Sequence, residues 1–270
     1  MFQGHPVTIV VPCFNEEGTI GRVVAEFRAQ PQVDRVLVVD NNSRDRSGEV
    51  AAAAGAEVLC ATAQGYGAAL RAGLDHAASG AGRPILVVTE ADGSFRASDL
   101  PKLLHYLPDC AMVLGTRTTK QLVQQGANMD FALRWGNVAM AKLLELFWFH
   151  PHEPRLTDVG CSYRALWGDT WTAIAAGTCE AGPAFSPEMI CEAYRHGLRV
   201  IEVPVHYGMR LGGESKHSRS FAQVCRTAWG MFRTICRKRF APGRATGSPQ
   251  PAGTAALTAA ARGNQTRPSC

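Results

Sequence analysis

The chain has 270 residues, 28 Lys and Arg against 23 Asp and Glu, and a hydrophobic fraction of 46%, enough for one large domain with a sizeable core. Ten of the basic residues lie from Ser215 onward, where there is no Asp or Glu, so residues 1–214 are net acidic (−5) and the overall +5 comes from the last fifth. Nine scattered cysteines without a CxxC pair, a start ("MFQGHPVTIVVP") without a basic leader, and no long uninterrupted apolar run argue against a disulfide framework, a zinc site, a signal peptide and a membrane-spanning helix. The expectation is a reduced, cytoplasmic protein, with its basic end suited to an anionic surface.

Along the first half, short β-branched runs at 7–12, 35–40, 56–62, 84–90 and 111–117 alternate with helical patterns. In the first helix Ile20, Val23, Val24 and Phe27 share a face behind a proposed Asn15 cap, and Ser98 is a proposed cap for "DLPKLLHYL". Strand–helix alternation predicts an α/β fold with a doubly wound, mostly parallel sheet and helices on both faces. Such sheets bind ligands at the carboxyl ends of their strands, where Asn15, Glu16, Asp40, Asn41, Glu90, Asp92 and Arg117 gather. A dinucleotide-binding domain is disfavoured, because the first turn, "PCFNEEGTI", has one glycine where three are needed.

The second half reads as a helix at 129–148, the loop "FHPHEPRLTD", the segment "GCSYRAL", a helix around 186–197, the strand "RVIEVPVHY" and a helix at 220–240. Interrupted by Arg134, Lys142 and Glu145, the 129–148 helix is either a buried core helix or one wall of a greasy groove. The last helix places Phe221, Val224, Cys225, Ala228, Trp229, Phe232, Ile235 and Cys236 on one arc, beside Arg219, Arg226, Arg233 and Arg237. Two fates are open for that amphipathic face, anionic lipid or the protein body. Residues 241–270, rich in Ala, Gly, Pro and Thr, are expected to be disordered. The expected division is therefore 1–218, 219–240 and 241–270. The histidines at 150 and 152 sit among prolines and read as a surface loop. Nucleic acid is not expected as a partner, since its motifs are missing and the body is acidic.

"VVTEADGSF" carries the main chemical signal. A buried strand stops at Glu90-Ala91-Asp92, two carboxylates one residue apart, and hard cations such as Mg²⁺ or Mn²⁺ are held by few carboxylates together with substrate phosphates.

In order, "VPCFNEEGTI", "VLVVDNNSRDRSGEV", "GYGAALRAGL", "VVTEADGS", "LGTR", "DVGCSYRAL" and "VIEVPVHYGMRLGGESK" resemble family-2 glycosyltransferases of the GT-A fold, in particular the branch containing dolichol-phosphate mannose synthase. The resemblance implies a metal-dependent, inverting transfer of a hexose from a GDP- or UDP-sugar to polyprenyl phosphate at a membrane face. Alternatives are transfer to a hydroxyl of a small molecule or glycan, and an inactive nucleotide-sugar-binding or scaffold protein. It implies that Asp92 contacts the metal directly, with Glu90 standing where the family usually has aspartate. Pro12, Phe14, Glu16, Asp40, Ala91 and the carboxylate pair would meet the nucleotide-sugar. Gly65 and Gly67 would admit it closely, or else simply open a helix. Arg117, Arg210 and Lys216 would meet the diphosphate or acceptor, and Arg117, Arg134, Arg164, Ser215 and Lys216 form the acceptor side. Arg164 could instead pair with Asp158. A phosphate acceptor is already ionised and needs no base; a hydroxyl acceptor would need one, for which Asp158 is the first choice and Glu188 the second, unless Glu188 serves as a partner for Arg or Lys.

Overall fold

The computed structural model describes residues 1–80, 82–127, 131–149, 156–212 and 221–241. The proposed disordered tail, the His150–Glu153 loop, Ser215 and Lys216 lie outside those residues. Seven strands form one sheet: β1 (Val7–Cys13), β2 (Arg35–Asp40), β3 (Glu57–Cys60), β4 (Ile85–Val88), β5 (Met112–Thr116), β6 (Arg164–Trp167) and β7 (Val200–Pro204). Their order is β3-β2-β1-β4-β6-β5-β7. All neighbours are parallel except β6, which runs against both β4 and β5. The sheet is thus mixed, as "mostly parallel" allows. The reversed strand is the short "RALW", too brief to show a period of its own.

Strand alternation sets the layers, because successive side chains of a strand leave opposite faces. Val7, Ile9 and Val11 of β1, Val36 and Val38 of β2, and Ile85 and Val87 of β4 enter one core with helices α1 (Ile20–Arg28), α2 (Ser47–Ala53) and α4 (Leu100–Tyr106). Val10, Leu37, Val39, Leu86 and Val88 enter the other. That second core is covered by α3 (Tyr66–Ala78), α5 (Phe131–Phe147), α6 (Gly168–Ala175), α7 (Phe185–Arg195) and α8 (Phe221–Phe240).

The chain winds outward through β1, β2 and β3, then returns to place β4 on the other side of β1. This reversal leaves a crevice beyond the carboxyl ends of β1 and β4, the place where such sheets bind ligands. The β1–β4 ladder ends at Val10 and Val88, so Glu90 and Asp92 occupy the turn beyond it.

Two proposed caps are corrected. Asn15 stands before α1 in a left-handed conformation, φ 54°. Its Oδ1 accepts from Arg44 N at 2.7 Å and its N donates to Ser43 Oγ at 3.0 Å. Its polar atoms thus tie the loops after β1 and β2 together, and Thr19 takes the cap position. Ser98 lies inside a 3-10 turn, and Asp99 precedes α4.

Both fates proposed for the C-terminal helix apply to different residues. Ile235 is fully buried, Val224 and Ala228 are half-buried, and Trp229 is 64% exposed beside the exposed Arg226 and Arg233. Glu188 of α7, with no exposure, anchors α8. It accepts from Cys179 N and Glu180 N at 2.9 and 2.8 Å and pairs with Lys238 at 2.9 Å and Arg237 at 3.3 Å. The expectation of a partner for basic side chains holds for Glu188, and its role as a base is withdrawn. Among the described residues no helix is long and apolar enough to cross a membrane.

Candidate active site

A cavity of about 610 Å³ opens beyond β1 and β4. Part of the lining comes from Pro12 near the end of β1, Phe14 and Glu16 after it, Asn41 after β2, and Gln64 and Gly65 before α3. Asn41, 3% exposed, organises that part. Its Nδ2 donates to Ala61 O and Ala63 O at 3.0 and 2.7 Å, and its Oδ1 accepts from Gly65 N at 2.7 Å and Gln64 Nε2 at 3.2 Å. Asp40 is half-buried and does not line the cavity; its Oδ1 accepts from Ser43 N at 3.2 Å.

Gly65 and Gly67 are required by packing. Gly65, at φ 133°, immediately precedes α3, and a Cβ on Gly67 would fall 2.1 Å from Glu180 O. Only Gly65 lines the cavity. Gly67→Ala forces a methyl group against the Glu180 carbonyl, and overpacking of this kind costs about 1–3 kcal/mol. The expected result is a melting temperature lowered by several degrees in a thermal melt.

The same lining holds the carboxylate pair. Asp92 is 2% exposed; its Oδ1 accepts from Ser94 N at 2.9 Å and Ser94 Oγ at 2.6 Å. Its Oδ2 is buried without a hydrogen-bond partner among the described residues. Arg210 Nη1 lies 3.0 Å from it, an ionic contact out of hydrogen-bond alignment, while Arg210 Nη2 donates to Glu16 Oε1 at 3.2 Å. Leu211 N donates to Asp92 O at 2.9 Å, holding the Arg210 segment over the pair. Glu90 Oε1 accepts from Ser162 Oγ at 2.6 Å. Burial, then the charge of Asp92, push the Glu90 carboxyl up to about 7. Among the described residues no group of three or more His, Cys, Asp or Glu converges. A buried carboxylate oxygen held by an ionic contact to Arg210 alone, beside a second acid, suits a hard cation that takes its other ligands from phosphate and water.

Next to the pair stands Arg117, whose Nε and Nη2 donate to Asp158 Oδ2 and Oδ1 at 2.8 and 2.9 Å. The Asp158 side chain has no exposure and also accepts from Arg117 N and Gly160 N, both at 3.1 Å. Both oxygens are therefore occupied, and Asp158 is corrected from a base to the partner that orients Arg117. Burial works against the charged guanidinium, but the charge and hydrogen bonds of Asp158 outweigh it and hold the Arg117 pKa above its ordinary value; the Tyr207 ring centroid lies 5.3 Å from the guanidinium. Arg164 does not pair with Asp158. It is 1% exposed and donates to Ser186 O at 3.0 Å and Cys161 O at 2.5 Å, so it braces the cavity floor and is closed to an acceptor. Arg134 Nη2 donates to Thr118 O and lies outside the lining, tying α5 to the Arg117 loop.

Glu202 on β7 supports this arrangement, accepting from Thr157 N, Thr157 Oγ1 and Asp158 N at 2.7–2.8 Å. Burial foremost pushes it up to about 7. Glu90 and Glu202 thus keep protons in the folded protein at pH values where the unfolded chain has released them. Stability of the ligand-free protein is expected to fall as pH rises from about 5 to about 7. Thermal melts across that range check this, and Glu202→Gln should flatten part of the slope.

The α5 and α8 side of the lining is mostly apolar, with Leu133, Gly136, Met140, Val224, Cys225, Ala228 and Met231 beside the polar Asn137 and Thr227. Gln64, Asn137, Ser162 and Tyr207 belong to the site and were not singled out from sequence. Tyr207 and Ser162 sit inside quoted motifs, but Asn137 had no distinguishing signal.

The profile for glycosyl transferase family 2 matches residues 8–155, more than half of the chain. The chain belongs to glycosyl transferase family 2. It is 36% identical over 217 residues to an uncharacterised glycosyltransferase of Mycobacterium tuberculosis, covering 80% of this chain and 92% of that one. It is 32% identical over 242 residues to the undecaprenyl-phosphate mannosyltransferase of Micrococcus luteus, covering 83% and 94%. Among solved structures, glucosyl-3-phosphoglycerate synthase of M. tuberculosis with Mn²⁺, UDP-glucose and phosphoglyceric acid superposes with a TM-score of 0.68 at 20% identity, over 92% of this chain and 84% of that one. The glycosyltransferase therefore has the GT-A fold expected from its motifs, and one of its relatives is named for the polyprenyl-phosphate branch they resemble.

Proposed function

We propose that this glycosyltransferase moves a hexose from a GDP- or UDP-sugar to polyprenyl phosphate, with inversion and with Mg²⁺ or Mn²⁺. The observation that carries the reading is the cavity itself, whose lining combines the carboxylate pair with apolar residues of α5 and α8. A nucleotide and diphosphate suit the polar part, and an isoprenoid chain suits the apolar part. The named M. luteus relative supports a lipid-phosphate acceptor, and the neighbour solved with Mn²⁺ and UDP-glucose supports metal and nucleotide-sugar use.

Asp92, through the Oδ2 that Arg210 contacts in the ligand-free protein, and Glu90 would hold the cation. When bound, it stabilises the charge that develops on the departing diphosphate. Arg117, fixed by Asp158, presents positive charge in the same chamber. Arg210 neutralises Glu16 and Asp92 when they hold no ligand, and would turn to the diphosphate as those carboxylates are engaged. An acceptor phosphate oxygen attacks the anomeric carbon, and the bond to the nucleoside diphosphate breaks with its electrons staying on the diphosphate. No proton has to be removed from such an acceptor near neutral pH. The full engagement of Asp158 and Glu188 favours this acceptor over a hydroxyl, since neither carboxylate is free to act as a base.

The exposed side chains of Trp135, Leu146, Phe149, Trp229 and Phe240 lie on α5, just after it, and on α8, with Arg226, Arg233 and Arg239 among them. Aromatic and basic residues of this kind suit an anionic bilayer surface, from which the channel would draw its acceptor. The test is incubation with labelled GDP- and UDP-hexoses, Mg²⁺ or Mn²⁺ and undecaprenyl phosphate. Label in an acid-labile lipid fraction is expected; label that never enters lipid overturns the acceptor.

A further inference from the structure

The carboxylate best suited to a cation already carries a positive group of the chain itself. Arg210 bridges two acids of the cavity lining: Nη1 stands 3.0 Å from Asp92 Oδ2, and Nη2 donates to Glu16 Oε1 at 3.2 Å. The other Asp92 oxygen, Oδ1, accepts from Ser94 N and Ser94 Oγ. Oδ2 is buried and has no hydrogen-bond partner among the described residues, so its charge is answered by the guanidinium. Two cations at one buried oxygen repel strongly. A divalent ion can therefore take Oδ2 only as Arg210 leaves it.

The backbone puts Arg210 over the pair without using its side chain. Phe95 and Tyr207 form an antiparallel bridge, Gly208 N donates to Ser94 O at 2.8 Å, and Leu211 N donates to Asp92 O at 2.9 Å. Residues 207–211 thus run alongside the carboxylate turn. Gly93 permits the close approach, since its φ is 74° and a Cβ there would fall 2.4 Å from Leu211 Cδ1. The guanidinium itself is held by its two carboxylates, its Nε has no hydrogen-bond partner among the described residues, and the side chain is partly exposed. It can swing away while the segment stays fastened. Arg117 is the opposite case, clamped through Nε and Nη2 by the fully buried Asp158. One arginine of the chamber is fixed and the other is releasable.

Resting on the proposed metal-dependent transfer, we infer that Arg210 is a built-in competitor of the divalent cation, and that the donor's diphosphate relieves the competition by drawing the guanidinium to itself. Phosphate oxygens are the strongest partners the reactants offer a guanidinium. Without nucleotide, Glu16 and Asp92 keep Arg210 and the protein holds the cation weakly. With nucleotide, the same side chain changes from an obstacle to the cation into a ligand of the diphosphate. Cation and nucleotide then strengthen each other's binding by the same factor.

The experiment uses the full chain, wild type and Arg210→Met. Electron paramagnetic resonance of free Mn²⁺ gives the cation affinity with and without UDP or GDP, and calorimetry gives the nucleotide affinity in saturating Mn²⁺. Arg210→Met should bind Mn²⁺ alone at least about tenfold more tightly than the wild type. It should bind the nucleotide about tenfold more weakly, having lost a charge-assisted bond. The opposite signs are the signature, because a merely disturbed site weakens both. The gain in Mn²⁺ affinity should persist in 1 M KCl, where the Debye length is about 3 Å and distant charges no longer act. Arg210→Gln takes the place of the methionine variant if that one does not fold. Mn²⁺ affinity that is unchanged or weaker in the variant, or a gain that vanishes in 1 M KCl, overturns the inference while leaving the metal reading standing. A wild type that takes up Mn²⁺ neither alone nor with either nucleotide overturns the metal reading, and the inference with it.

Discussion

Asp92→Asn is expected to lower sugar transfer by about a thousandfold while shifting the melting temperature by only a few degrees. Asparagine keeps the oxygen that accepts from Ser94 N and Ser94 Oγ, so the turn after β4 keeps its hydrogen bonds. What disappears is the charge of a carboxylate whose Oδ2 has no hydrogen-bond partner among the described residues. A cation at the leaving group contributes several kcal/mol of transition-state stabilisation, and about 4 kcal/mol is a thousandfold in rate. Arg210 loses one ionic partner and keeps Glu16 at 3.2 Å, which is why the effect on stability is small. Steady-state transfer rates and a thermal melt of the same preparation check both halves. If Asp92→Asn transfers sugar at the wild-type rate, the metal reading of the pair fails.

Asp158→Ala should behave in the opposite way, costing stability first and activity as a consequence. The Asp158 side chain has no exposure and that of Arg117 has 11%, and removing the acid leaves the guanidinium without its bidentate partner. Breaking a buried ion pair from one side costs about 3–5 kcal/mol, which for a domain of this size lowers the melting temperature by roughly 10 °C. The backbone N–H groups of Arg117 and Gly160 lose their acceptor as well. Differential scanning calorimetry measures this directly. A variant that melts with the wild type but fails to transfer sugar would restore Asp158 as a base.

The contrast between these two aspartates shows what the sequence could disclose. Asp92 follows a buried β-branched run and sits one residue from Glu90, a local pattern that names its chemistry. The layers were legible for the same reason: Ile9 and Val10, or Leu37 and Val38, alternate between cores because a strand has a period of two. Asp158 could not be read this way. Its partner Arg117 is 41 residues distant, and only the approach of the 156–160 loop to the end of β5 brings them together. Glu188 was equally opaque, since its partners Arg237 and Lys238 arrive from a helix about 50 residues later. Asn15 has an N-cap's composition, but a positive φ and bonds to Ser43 and Arg44 assign it to another task. Asn137 lies in a helix whose sequence reads as core or groove, and its place on the cavity wall beside Gly160 emerges only from the fold.

Glu90 is the departure from the family pattern, and its surroundings make it workable. Ser162 holds one oxygen at 2.6 Å, and the longer side chain still ends in carboxylate at the cavity wall. Its raised pKa means that the doubly ionised pair gains population as pH rises through about 7. Cation affinity of the ligand-free enzyme is therefore expected to strengthen over that range, as a Mn²⁺ titration at pH 6 and pH 8 would measure.

The central claim is that one cavity joins a nucleotide-sugar to the phosphate of an isoprenoid lipid. Its most direct test is kcat/KM for a series of isoprenyl phosphates of increasing length, with wild type and with Ala228→Arg, which places a charge in the channel wall. Wild-type efficiency should rise at least about tenfold from the shortest to the longest acceptor as apolar surface is buried, and Ala228→Arg should abolish that rise. Equal efficiency at every length, or faster transfer to a water-soluble hydroxyl compound, would contradict the claim.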